Sequence, residues 1–187
     1  VLVVSLQSNN GYLLNGGDTL IRVTLAFMLF ANLSAHYSLD SLLRKRRERL
    51  GKPSKRLMPA YVSNSAHNVG LILCCFQIVV VYVMSGVWKL TGSEWLEGTA
   101  LFYSLRLDVF MTYPLLNEML WQSSLVIYIA TFIALWAQTL FPGALLWRPT
   151  RIVALIALMF MHLGIAVLMG LWPFSLAMIA LDMLFVR

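Results

Sequence analysis

Long apolar stretches alternate with polar, turn-forming or basic segments along the whole chain. The first apolar stretch runs from about Thr19 to Leu39 and the second from about Val69 to Leu90. A third covers Ser123 to Phe141 and a fourth Ile152 to Leu171, and Phe174 to Val186 forms a last, shorter one. Most approach the ~20 residues that a helix needs to cross a bilayer. None shows the alternating ten-residue pattern of a membrane barrel. The pattern predicts an all-α, polytopic integral membrane bundle of about five apolar helices with short interfacial helices. Thr91 to Gln122 mixes Glu94, Glu97, Arg106, Asp108 and Glu118 with Trp95, Phe102, Tyr103, Phe110 and Trp121. It reads as one or two short helices on the outer face, divided at Pro114.

Punctuation agrees with this division. Asn15-Gly16-Gly17 forms a turn, and Asp18 is placed to cap the first long helix. Trp172-Pro173 separates the last two apolar segments, and Pro142-Gly143 ends the third. Arg22 lies close enough to a helix end to snorkel, while Asn32, Ser34, His36 and Tyr37 make the far end of that segment polar. Val1 to Leu6 is apolar but too short to span. The chain opens in mid-apolar sequence, which predicts that an N-terminal part precedes it in a single domain covering residues 1–187.

Composition removes whole classes of function. Of 187 residues, 60% are hydrophobic and 12% charged, too little polar surface to cover a soluble globule. The net charge is +6, yet eight of the fourteen Lys and Arg lie between Arg44 and Arg56. So local a cluster is a topology signal and no nucleic-acid site, since no polar domain carries it. It places residues 41–68 in the cytoplasm; Arg148 and Arg151 do the same for residues 142–151, leaving 91–122 outside. Arg44, Lys45, Arg46, Arg47 and Arg49 are also candidates for binding anionic lipid headgroups. Adjacent Cys74 and Cys75 sit in an apolar run, too close for an ordinary disulfide. There is no phosphate-binding Gly loop, Cys/His zinc spacing or nucleophile elbow.

The most informative stretch is Tyr82-Val-Met-Ser85-Gly86-Val-Trp88-Lys89-Leu-Thr-Gly92-Ser-Glu94-Trp95. Lys89 stands where the second apolar run meets polar chain. Tyr82 and Ser85 precede it by seven and four residues, so the three share one helical face. Gly86 permits close approach of another helix, and Trp88 and Trp95 bracket Lys89 as interfacial aromatics do. A lysine at a span end is most often an anchor. A lysine acting as a base must be neutral at working pH, a state that apolar surroundings favour.

The run Gly86-Val87-x-Lys89-Leu90 followed by Trp95-x-x-Gly98 resembles the core motif of the HTTM (horizontally transferred transmembrane) domain family. The group includes vitamin K-dependent gamma-glutamyl carboxylase. His162-Leu163-Gly164 followed by Gly170-Leu171-Trp172-Pro173-Phe174 is similar to a second family segment, and His36-Tyr37-Ser38-Leu39-Asp40 to a third. The resemblance covers about Asn15 to Val186. It implies that Lys89 corresponds to the carboxylase lysine that deprotonates vitamin K hydroquinone, with His162 as a cavity residue. It sets Asp18 where the carboxylase carries a supporting His, a departure that weakens the carboxylation reading in particular.

Two classes of function stay open at this level. In the first, Lys89, His162 and Asp18 form an enzymatic centre acting on a lipid-soluble quinol-type substrate at the extracytoplasmic face, with Tyr82, Ser85, Trp95 and Arg106 around the cavity. The cofactor would be a quinone, a quinol or a bound lipid. In the second, the chain is a non-catalytic accessory subunit whose partners are membrane lipids and other membrane subunits. Met159, His162 and Met169 share a face and offer ligands that suit Cu(I). Methionine is a common filler of apolar helices, so no metal site is assigned.

Overall fold

The computed structural model describes residues 16–31, 39–51 and 59–186. Expectations that rest on Val1 to Leu6, on Asn32, Ser34, His36 and Tyr37, or on Lys52, Lys55 and Arg56 lie outside them. All regular structure among the described residues is helical. Helix α1 spans Gly16–Met28 and carries Asp18 in its first turn, where a carboxylate complements the positive end of the helix dipole. Helix α2, Leu39–Arg49, gathers Arg46, Arg47 and Arg49 in its last turn, the favourable end for cations. Helix α3, Ala60–Leu90, is 31 residues long. Short helices α4 (Ser93–Leu96) and α5 (Ala100–Leu105) and a 3-10 turn at Asp108–Phe110 follow. Then come α6 (Pro114–Trp121), α7 (Ser124–Thr139), α8 (Phe141–Ala144), α9 (Arg148–Met169) and α10 (Trp172–Asp182), with a 3-10 turn at Met183–Phe185. Helices α6, α8, α9 and α10 all have proline in their first turn, where its missing N–H costs nothing.

Among the described residues two helices, α3 and α9, are long and apolar enough to cross a membrane. A third span exists if α6 and α7 count together, although they are bent by 95° at the break. The sequence predicts about five apolar helices, so the difference lies in length. Helix α1 has 13 residues and rises ~20 Å, short of a ~30 Å hydrocarbon core. Helix α3 begins at Ala60, directly after Pro59, well before the predicted start at Val69. Its first turns are polar but hold no glycine or proline to stop them. The segment predicted as interfacial does break into short helices, and one of them starts at Pro114.

The chain divides into two compact units, Thr19–Phe76 and Gln77–Arg187 in the main. Within the first, a Cβ on Gly70 of α3 would lie 2.9 Å from the carbonyl oxygen of Phe27 in α1, so only glycine permits that crossing. The second unit holds the candidate chemistry. Its core is built from Ile78, Tyr82, Leu135, Phe141, Leu158 and Met178, all essentially inaccessible to solvent. Helices α9 and α10 form a hairpin whose corner is Gly170, a left-handed residue at φ 69° that ends α9. Gly86 of α3 is a second close approach: a Cβ there would stand 2.9 Å from the Cα of Thr139 on α7. The outward faces of α7 and α9 carry exposed Leu125, Val153 and Phe160, as lipid-facing surfaces do.

Candidate functional site

Lys89 sits on the last turn of α3. Its ammonium donates a hydrogen bond to Ser85 Oγ at 2.9 Å and another to the side-chain carbonyl of Gln138 on α7. Ser85 Oγ donates to the same Gln138 oxygen at 2.9 Å, closing a three-member ring of polar contacts. Gln138 uses its amide on Met161 Sδ of α9 at 3.4 Å. The lysine nitrogen also lies 4.9 Å from the centre of the Trp95 ring, within cation–π range. Three elements therefore fix one nitrogen: the i, i+4 face of α3, the facing α7, and α4, which presents Trp95.

That nitrogen lines a cavity of about 640 Å³. Its polar end is Lys89, Trp95, Ser104 and Gln138; the remaining wall comes from apolar side chains of α5, α7 and α9, including Ala134, Phe160 and Leu168. Small residues make the space. Ala130 and Ala134 of α7 face Ala157 and Gly164 of α9, and a Cβ on Gly164 would meet nothing within 4 Å. Cavities of this size hold drug-sized or lipid-sized ligands, with a few polar groups setting orientation. A smaller hollow of about 300 Å³, lined by Glu94 and Tyr103, shares Trp95 and Ser104 with the larger cavity.

Seven residues before Lys89, Tyr82 belongs to a different cluster. Its hydroxyl lies 2.8 Å from both carboxyl oxygens of Asp182 on α10 and 3.1 Å from His162 Nε2 on α9. Tyr82 and Asp182 are 0% exposed and His162 is 1% exposed, so the trio is sealed from solvent. Phe141 packs edge-on against Tyr82 and Phe174 against His162.

A family model described as the HTTM domain matches residues 18–187 of the chain. The chain belongs to the HTTM domain family. No curated protein and no solved structure matches it significantly. Among the residues the sequence singles out, this HTTM domain brings together Lys89, Ser85 and Trp95. His162 and Tyr82 meet each other, in the sealed trio. Asp18 lies in the first turn of α1, half-buried. Arg106 is exposed and stacks over the Phe102 and Trp121 rings, 4.9 and 5.7 Å from their centres. On α2, Lys45, Arg46, Arg47 and Arg49 are solvent-exposed, as is Leu43.

Two residues join the candidate chemistry that sequence reasoning does not select. Gln138 and Asp182 each look like one polar residue in an apolar helix, and the partners of each lie on other helices. The signal available for Asp182 is general: an ionisable group inside an apolar segment rarely lacks a role.

Proposed function

We propose that Lys89 is a proton acceptor for a lipid-soluble ligand with an acidic hydroxyl, of the quinol type that the family resemblance implies. One observation carries this reading. Among the described residues Lys89 is the one charged side chain on the wall of a mostly apolar cavity large enough for such a ligand, and its nitrogen is held from two helices. Apolar walls suit the ligand's hydrocarbon body, and the uncharged amine is the form of Lys89 that accepts a proton. Ser85 and the Gln138 carbonyl hold the nitrogen at the polar end. Gln138 and Ser104 are at hand to orient a ligand oxygen. In the step itself, the ligand O–H bond breaks, an N–H bond forms on Lys89, and the resulting oxyanion faces the new ammonium. Aerobic oxidation of a lipophilic hydroquinone by the reconstituted protein tests it. Activity lost in Lys89→Met supports the reading. Unchanged turnover refutes it and favours the accessory-subunit alternative, in which the fold serves as scaffold within a larger membrane complex.

The distribution of basic residues supports a multi-pass topology with residues 41–68 and 142–151 in the cytoplasm and 91–122 outside. In that orientation the basic face of α2 meets the leaflet richest in anionic lipid.

A further inference from the structure

The Tyr82–His162–Asp182 trio shares no hydrogen bond with Lys89, and its own hydrogen bonds do not add up to a simple structural clamp. The three residues come from α3, α9 and α10, and one hydroxyl is the hub that joins them. A buried, ionised carboxylate ordinarily accepts several hydrogen bonds or pairs with a cation. Asp182 instead has a single hydroxyl, 2.8 Å from each oxygen, and is 0% exposed. On the far side of the hub, His162 Nδ1 is buried with no hydrogen-bond partner. The rings packed against the trio, Phe141 and Phe174, carry no charge, and the cation whose field acts on it, Lys89, is hydrogen-bonded to Ser85 and Gln138 instead.

Each assignment of protons leaves something short. If Asp182 is ionised and His162 neutral, Nε2–H donates to Tyr82, Tyr82 donates to the carboxylate, and a net negative charge stays buried with one donor. If one more proton is present, the trio is electrically neutral. Its two neutral forms differ only in where that proton sits. In one, the Asp182 acid donates to the Tyr82 oxygen and the Tyr82 hydroxyl donates to His162 Nε2. In the other, Asp182 is a carboxylate and His162 an imidazolium. A concerted shift interconverts them: the Asp182 O–H bond breaks as a new O–H forms on Tyr82, and the original Tyr82 proton moves to Nε2. Tyr82 ends as it began.

The geometry points to a buried proton-binding site in which Tyr82 relays one exchangeable proton between Asp182 and His162. Neutrality is the physical reason for taking up the proton, because an uncompensated charge among apolar helices carries the desolvation penalty of an ion. The neutral acid form is the resting one, since it separates no charge. The site stands on the same face of α3 as Lys89, seven residues or ~10 Å along the helix axis. It does not depend on Lys89 acting as a base.

Infrared difference spectroscopy of the intact protein in lipid, with and without carboxyl-13C aspartate, tests this without any substrate. The expected spectrum at neutral pH has a carbonyl band of a protonated carboxylic acid that moves with the label, because the other described aspartates with placed side chains, Asp18 and Asp108, are not buried. The band should be lost in Asp182→Asn and shifted in Tyr82→Phe, which removes the hydroxyl hub and keeps the ring. Labelled bands of carboxylates alone, with His162 neutral by 15N resonance, would overturn the proposal. So would an acid band that is indifferent to both substitutions. Because the decisive band is read in the wild-type chain, failure of a variant to fold leaves the test intact.

Discussion

At the scale of single residues, the placement of Lys89 depends on Gln138 as much as on its own helix. The Gln138 carbonyl accepts from both Lys89 and Ser85, so its loss strands the Ser85 hydroxyl and leaves Lys89 with Ser85 as its one hydrogen-bond acceptor among the described residues. Gln138→Leu is expected to cost about 0.5–1.5 kcal/mol of stability, the range for a hydrogen bond between uncharged groups. It should also weaken ligand binding while leaving the cavity volume nearly unchanged; thermal unfolding in detergent and a binding titration check both. Gly164 gives the converse test, because its missing side chain points into open space. Gly164→Ala should stabilise α9 by roughly 0.5–1 kcal/mol, the helix penalty of glycine. Gly164→Phe should fill the cavity and weaken ligand binding about tenfold or more, equivalent to ~1.4 kcal/mol. Undiminished affinity in the phenylalanine variant would place the ligand elsewhere.

At the scale of elements, glycine sets how near the helices come. Gly86 lets α3 and α7 touch at Thr139, and that contact brings Lys89 within reach of Gln138. Gly86→Leu should therefore separate the two helices, at about 1–3 kcal/mol as for other overpacked sites, and abolish ligand binding even with Lys89 intact. A variant that binds normally would show that the Lys89–Gln138 contact is dispensable. Much at this scale is legible in sequence. The shared face of Tyr82, Ser85 and Lys89 follows from helical periodicity, and Pro114 and Trp172-Pro173 mark real element boundaries. The grouping of polar residues is not legible. Tyr82 and Ser85 lie on one face of α3, yet one turns to Asp182 and the other to Gln138, a choice made by which helices pack beside each turn. Sequence periodicity gives the face of a helix and says nothing of its neighbour. For the same reason the sequence shows His162 in an apolar helix but not the Tyr82 hydroxyl, shared with Asp182 of α10, that it meets. Helix lengths are also hard to read, because apolar composition continues through the breaks that shorten α1 and bend α6 against α7.

At the scale of the whole molecule, the HTTM domain is a membrane protein whose described residues are helical and hold two, or up to three, candidate spans. The charge pattern predicts that cysteines introduced as Glu48→Cys and Ser93→Cys are labelled from opposite sides of the membrane by an impermeant reagent. Labelling of both from one side would contradict the topology. Neutralising Lys45, Arg46, Arg47 and Arg49 together should lower retention of anionic lipid in native mass spectrometry without changing the ligand cavity; equal retention would remove the headgroup role of α2.

The central claim is that Lys89 takes a proton from a ligand in the apolar cavity. A hydrophobic alkylated naphthol, whose absorption differs between neutral and ionised forms, reports on it directly. In the reconstituted wild-type protein the bound probe should show the naphtholate spectrum at a pH where the free probe is neutral, and in Lys89→Met it should bind as the neutral naphthol. A bound probe that stays neutral in the wild type, or ionises equally in both proteins, would contradict the assignment of Lys89 as the base.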